Sequence, residues 1–311
     1  MRPAASILLL TTLTGFAYGL LAWLGLDVAV GATGAARPLI LIGVGLALLL
    51  ASAGLAASAL HLGRRERAWR AFSQWRSSWL SREGVAAVLT YPVTLAFAAA
   101  VYRAPDAPLT RLLGAAAALA GLATVYCTAM IYGSLKPIRQ WHNPHTAPDY
   151  LIFAVFSGGT LFVLLHVLTV GAGALPAVFA ALAAAAALLA KLAYWRYIDH
   201  QPPLATLASA IGLAHSTEVK PLDAPHFAEN FVLREMGYQI ARRHGEKLRR
   251  IALVLGFLLP LLLSLLAAAG RVPLASSVLA VACAALGLLT ERWLFFAQAT
   301  HVSALYYGRS I

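Results

Sequence analysis

Eight stretches of this chain are each long and apolar enough to cross a lipid bilayer, and nothing else in the sequence narrows the fold as much. They run roughly Ala4–Val30, Arg37–His61, Gly84–Val101, Leu109–Tyr132, Tyr150–Val170, Leu175–Tyr197, Ile251–Gly270 and Pro273–Phe296. About 20 apolar residues span the hydrocarbon core. In lipid every backbone polar group must be paired within the chain, so a spanning segment is a helix or part of a closed barrel. These runs lack the period-two alternation of barrel strands. The expected fold is therefore all-α: a polytopic membrane protein with eight transmembrane helices in a bundle. Composition agrees, with 12% charged residues and 60% hydrophobic ones, against about 25% charged in an ordinary soluble domain. The first run exceeds the roughly 7–15 residues of a signal-peptide apolar region and reads as a retained span.

Eight spans place both termini on one side, here side A. Its connectors are Leu62–Glu83, Gly133–Asp149 and Ile198–Arg250; those of side B are short. Of the 24 Lys and Arg residues, 20 group with side A and 4 with side B. Lysine and arginine favour the cytoplasmic face, so side A is expected in the cytoplasm of a bacterial inner membrane, with both termini there. The organisation reads as one integral membrane domain over 1–311. Within it, 1–133 and 150–307 form four-helix halves, and 198–250 is a cytoplasmic connector. Two side A segments have the pattern of interfacial amphipathic helices. Trp69, Phe72, Trp75 and Trp79 recur at steps of three, three and four, and Val232, Met236 and Ile240 recur every four. Simple anchoring and a docking surface for a peripheral partner both fit that pattern. The net charge of +12 sits in loops at membrane ends, so anionic lipid or an acidic protein is the expected partner, not nucleic acid.

Ionisable groups at membrane depth are costly and are candidates for function. His61 closes the second span and Glu83 opens the third, both on side A. One reading makes them solvated caps. The other makes them a proton-exchanging pair for a quinone, which takes up two electrons and two protons. Glu291 and Arg292 lie inside the eighth span. As sequence neighbours they point about 100° apart, so each is expected to need a partner on another span, either as structural glue or as a proton path. His166, deep in the fifth span toward side B, reads as a hydrogen-bonded structural histidine. Haem is not expected: His61 and His301 share a level, but no span carries two histidines and His166 has no counterpart at its depth. Cys127 and Cys283 are isolated inside apolar runs and suit neither an iron–sulfur cluster nor a zinc site. No Walker, G-x-G-x-x-G, H-E-x-x-H or G-x-S-x-G motif occurs. A stand-alone transporter remains an alternative; Pro260 interrupts the seventh span without a matching break in the first half.

Several longer stretches resemble one family. "YGSLKPIRQWHNP" (Tyr132–Pro144) resembles the connector between the fourth and fifth helices of the dimethyl sulfoxide reductase membrane anchor family. "ASALHLGR" (Ala57–Arg64) is similar to the end of its second helix. "NFVLREMGYQIARRHGEKLR" (Asn230–Arg249) is similar to its segment before the seventh, and "ERWLFFAQATHVSALYYG" (Glu291–Gly308) to its last helix. "PAASILLLTTLTGFAYGLLAWLGL" (Pro3–Leu26) resembles the branch that anchors cytoplasmic sulfite-oxidising enzymes.

This resemblance implies a cofactor-free anchor that holds an iron–sulfur subunit, which in turn holds a molybdopterin catalytic subunit. It implies ubiquinone or menaquinone as the exchangeable substrate, met near the closest cluster. His61 and Glu83 match the family's quinone-associated histidine and glutamate; Tyr132 and Arg139 are expected at the same pocket. Arg64, Arg67, Lys136, Trp141 and His142 are expected at the partner docking surface, with His142 and His145 as proton carriers. Electrons are expected to run from sulfite through the iron–sulfur subunit to quinone. The alternative direction oxidises menaquinol for a dimethyl sulfoxide reductase-type enzyme. The basic, Trp-rich segment Arg64–Trp79 departs from what the reductases suggest, which leaves the local site shape open.

Overall fold

The structure is a computed structural model that describes residues 3–32, 36–60, 63–202, 204–213, 218–219, 222 and 240–307. Its long helices are α1 (Ala5–Val30), α2 (Arg37–Leu60), α3 (Trp79–Arg103), α4 (Pro108–Gly133), α5 (Thr146–Thr169) and α6 (Ala174–Asp199). The seventh span is built from α7 (Ile240–Leu253), a π turn (Val254–Leu258) and α8 (Leu259–Ala268), and α9 (Pro273–Ala297) is the eighth. All eight predicted spans are therefore present as helices long enough to cross a membrane. Pro260 does not break the seventh. It falls at the start of α8 next to the π turn, where its missing N–H and the widened turn coincide.

The spans begin and end where their sequences say they should. Pro108 and Pro273 occupy first-turn positions of α4 and α9, where a missing N–H costs nothing. Gly31 ends α1 at φ 71°, returning its N–H to the Asp27 and Val28 carbonyls. Several hydroxyls inside the spans are satisfied along their own helix: Thr14 donates to the Leu10 carbonyl at 2.7 Å and Thr124 to the Ala120 carbonyl at 2.9 Å.

α1 and α5 form the centre of the bundle. α1 packs against α2, α4 and α5; α3 leans on α4; α5 also meets α6 and α9; and α8 sits between α6 and α9. Small residues set these crossings. A Cβ at Gly19 would overlap the Ala154 carbonyl, and one at Gly158 would overlap the backbone at Gly19 and Leu20. Gly25 meets Gly114 between α1 and α4, and Gly256 meets Gly287 between the seventh and eighth spans. Lipid gives apolar helices no hydrophobic reason to associate, so close backbone approach must supply the packing. Leu49, Leu119 and Leu189 face outward, each about two-thirds exposed, as a lipid-facing surface requires.

The Arg- and Trp-dense connector is a 3-10 helix (Arg65–Phe72) followed by turns, not an α-helix, and Trp79 already belongs to α3. Trp69 and Trp75 are exposed, with the Arg70 and Arg76 guanidinium groups over their rings. Phe72 folds back to touch the Gly84 position on α3. The Val232 and Met236 stripe lies outside the described residues. Ile240 starts α7, which runs on into the seventh span.

Candidate functional site

Three spans, α1, α3 and α4, meet around Glu83 at the side A end. It sits in the second turn of α3, 6% exposed. Across from it on α4, Thr128 donates to its Oε1 at 2.6 Å. Tyr18 on α1 lies within electrostatic reach of Glu83 and Tyr91; its hydroxyl is buried with no hydrogen-bond partner among the described residues. Further along α3, Tyr91 pairs with Ser52 of α2 at 2.7 Å. Among the described residues, Glu83 is thus met by hydroxyls and by no cation. Such a carboxyl can exchange a proton without stranding a countercharge. His61, the other half of the expected pair, lies outside the described residues.

Thr128 also borders a cavity between α1, α4, α5 and α9, lined by Thr11, Thr12, Ser157, Tyr150 and Arg292 among others. It offers about 20 Å³, enough for one water (about 10–15 Å³ is the minimum) and far too little for a quinone ring. The Thr12 and Tyr150 hydroxyls, of residues that line it, have no hydrogen-bond partner among the described residues, and a buried hydroxyl of that kind is ordinarily met by water.

Beyond that cavity lies a buried charge cluster. Lys191 of α6 donates to Glu291 Oε1 of α9 at 2.5 Å, both 1% exposed. Arg292 stacks on the Tyr150 ring at 3.6 Å. Its Nε also comes within 3.7 Å of Glu291 Oε2. The two side chains leave α9 about 100° apart, and the long arginine stem bends back far enough to bring them within ion-pair range. The expectation of partners on other spans holds, and Lys191 is the one for Glu291. Asp149, 5% exposed, is within electrostatic reach of Lys191, Glu291 and Arg292. Two cations and two carboxyls balance in a region where an unpaired charge would be prohibitive.

Sequence reasoning missed Lys191, grouping it with side A loop charges because it lies two turns from the end of its run. The available signal was its place in "AALLAKLAYW", a cation well inside an apolar run, while Glu291 in the eighth span already called for one. Setting Lys191 and Arg292 aside leaves the side A excess of cations intact. Thr128 gave no signal, since a threonine in a span looks like any other.

The connector between α4 and α5 departs from expectation in part. Trp141, expected at the docking surface, is buried: its Nε1 donates to the Phe295 carbonyl at 2.9 Å, and its ring packs with Tyr132, Phe295 and Phe296. It staples the connector to α9. Tyr132 belongs to the same aromatic cluster and also stacks on Tyr150. Arg139 reaches Gln201 at 3.1 Å and borders a separate side A pocket with Asp199 and Arg249, so the structure does not bring it to Glu83. Its neighbours tie down the chain after α9: Ile138 bridges His301, and the Gln140 side chain accepts from the Thr300 N–H. Arg64, Arg67, Lys136 and His142 are exposed, as a docking face needs. His142 Nδ1 lies 2.6 Å from the Gly133 carbonyl, which anchors the ring at the end of α4.

Comparison with known proteins agrees with this architecture over the whole chain. The family described as "DMSO reductase anchor subunit (DmsC)" matches residues 2–307. A sulfite dehydrogenase subunit of Allochromatium vinosum is 34% identical over 331 aligned positions, covering 99% of each chain. A protein with eight apolar helices that matches such a family end to end is a multi-pass membrane anchor subunit, and an anchor subunit has catalytic partner subunits to hold. The chain belongs to the DMSO reductase anchor subunit (DmsC) family.

Proposed function

We propose that this protein is the quinone-reactive anchor of a three-subunit molybdoenzyme. An iron–sulfur subunit docks on side A, held by Arg64, Arg67, Lys136 and His142, and carries a molybdopterin catalytic subunit. Electrons pass from sulfite through the iron–sulfur subunit to ubiquinone or menaquinone. No haem takes part. Side A faces the cytoplasm of a bacterial inner membrane, with both termini there, which is the orientation the side A excess of lysine and arginine favours.

The observation that carries this reading is Glu83: a carboxyl buried at the side A rim, bonded to a hydroxyl and free of cation partners among the described residues. A quinone reduced there needs two protons, and Glu83, with His61 close by in sequence, can hand them over. The water-sized cavity beside Thr128 then forms the inner side of the proton route, with the Lys191–Glu291–Arg292 cluster as fixed charge behind it. The sulfite assignment rests on the 34% identity to a sulfite dehydrogenase subunit.

The test is turnover by the complex purified through a tag on this chain. Sulfite should reduce decylubiquinone. Oxidation of menaquinol with dimethyl sulfoxide, without sulfite activity, would reverse the direction. Purification without partner subunits, together with solute uptake into vesicles, would replace the reading by transport.

A further inference from the structure

A ligand-sized cavity lies at the opposite membrane end, roughly 20 Å along α1 from Thr14 at 1.5 Å per residue. It measures about 330 Å³, inside the range of about 300–1,000 Å³ typical of small-molecule sites. One wall is aromatic. Trp23 stacks on Phe162 with centroids 5.7 Å apart, and Phe179 stands 6.5 Å from Trp23. This wall is fixed in place: Trp23 Nε1 donates to the Val155 carbonyl at 2.8 Å, and Gly159 leaves the indole its space.

Two titratable side chains, Asp27 and His166, line the same cavity, each 7% exposed. His166 Nδ1 donates to the Gly171 carbonyl at 2.9 Å. A carbonyl only accepts, so in the neutral ring the proton sits on Nδ1 and Nε2 is an acceptor. The turn that aims this carbonyl holds Gly171 at φ 119°, a conformation suited to glycine. The Gly173 backbone closes against the ring, where a Cβ would come within 2.8 Å of His166 Cε1. The mouth is apolar: Leu26, Val30 and Leu175 are 52%, 73% and 60% exposed on the lipid side.

An aromatic slot with an imidazole acceptor, entered past exposed leucines, matches a flat lipid-soluble ring that donates a hydrogen bond. An acyl chain has no use for the acceptor, and a water-soluble ligand would not enter through leucines. We propose that this cavity binds the headgroup of a membrane isoprenoid quinol, making a second site on the rim opposite Glu83, with the tail leaving past Leu26 and Leu175. The quinol form is favoured because its hydroxyl donates to His166 Nε2 where the oxidised ring only accepts. Binding is the whole of the assignment; no electron transfer is given to it.

The test is anaerobic equilibrium binding of decylubiquinol and decylubiquinone to the tagged complex in phosphatidylcholine nanodiscs. Two quinol equivalents per chain are expected. His166→Leu should weaken one of them about ten-fold, the loss of one hydrogen bond. Leu26→Trp, at a lipid-facing position where the fold is not at stake, should block the same equivalent by filling the mouth. Neither variant should change quinone turnover. The blocked site should prefer decylubiquinol to decylubiquinone. Unchanged binding in both variants, equal affinity for the two forms, or retention of phospholipid in place of quinol would overturn the proposal. A single equivalent lost only in Glu83→Gln would remove this second site alone. A single equivalent lost only in Leu26→Trp would leave it standing and remove the Glu83 site.

Discussion

Glu83 and Glu291 are both carboxyls buried near the side A end of the same bundle, yet their surroundings give them opposite work. Glu83 meets the Thr128 hydroxyl and no cation among the described residues. Glu291 sits between Lys191 at 2.5 Å and Arg292 at 3.7 Å, with Asp149 balancing the count. A carboxyl bonded to a hydroxyl can gain or lose a proton at the cost of a hydrogen bond. A carboxylate that neutralises two cations cannot lose its charge without exposing them to a low-dielectric interior. Burial alone therefore does not mark a reactive group in this protein; the partner does.

That contrast breaks most easily at Lys191. Lys191→Met should leave Glu291 and Asp149 with Arg292 as their one shared cation and destabilise the protein by about 3–5 kcal/mol, seen as loss of assembled complex in detergent. The double change Lys191→Met with Glu291→Gln should recover much of the yield, since both partners of the pair go together. A Lys191→Met protein of wild-type stability would erase the difference between the two carboxyls. Glu83→Gln tests the other arm: assembly should be normal while quinone turnover falls about 100-fold, the low end of what a proton-transferring group contributes.

Thr128→Val sharpens the comparison, since it removes the one hydrogen bond that positions the carboxyl. It should lower turnover about ten-fold, the kinetic equivalent of roughly 1.4 kcal/mol. Smallest is Trp141→Phe, which keeps an aromatic ring in the cluster but drops the bond to the Phe295 carbonyl. It should cost about 1 kcal/mol of stability, read by thermal unfolding, and leave quinone kinetics as they were.

The eight spans were legible because hydropathy over 20 residues is a local property, and so was Glu83, a carboxyl at the mouth of an apolar run. What the sequence hid is pairing. Lys191 and Glu291 are 100 residues apart, and nothing local to either says that α6 and α9 bring them together. Trp141 looked like an interface aromatic because tryptophan is common there; its indole N–H instead found a carbonyl of α9, which depends on how the connector folds back. The steps of three and four from Trp69 to Trp79 suggested one helical face, but the tight 3-10 turn and the start of α3 at Trp79 split it. Arg139 was grouped with Glu83 by connector, whereas its side chain reaches Gln201, just past the end of α6.

The most direct test of the central claim is mapping an azido-quinone photolabel on the assembled complex, counting only the label whose incorporation abolishes turnover. That label should fall on peptides from the side A ends of α3 and α4, around Glu83 and Thr128, and Glu83→Gln should reduce it. Inactivating label confined to the Trp23 and His166 end of the bundle, with none near Glu83, would contradict the account.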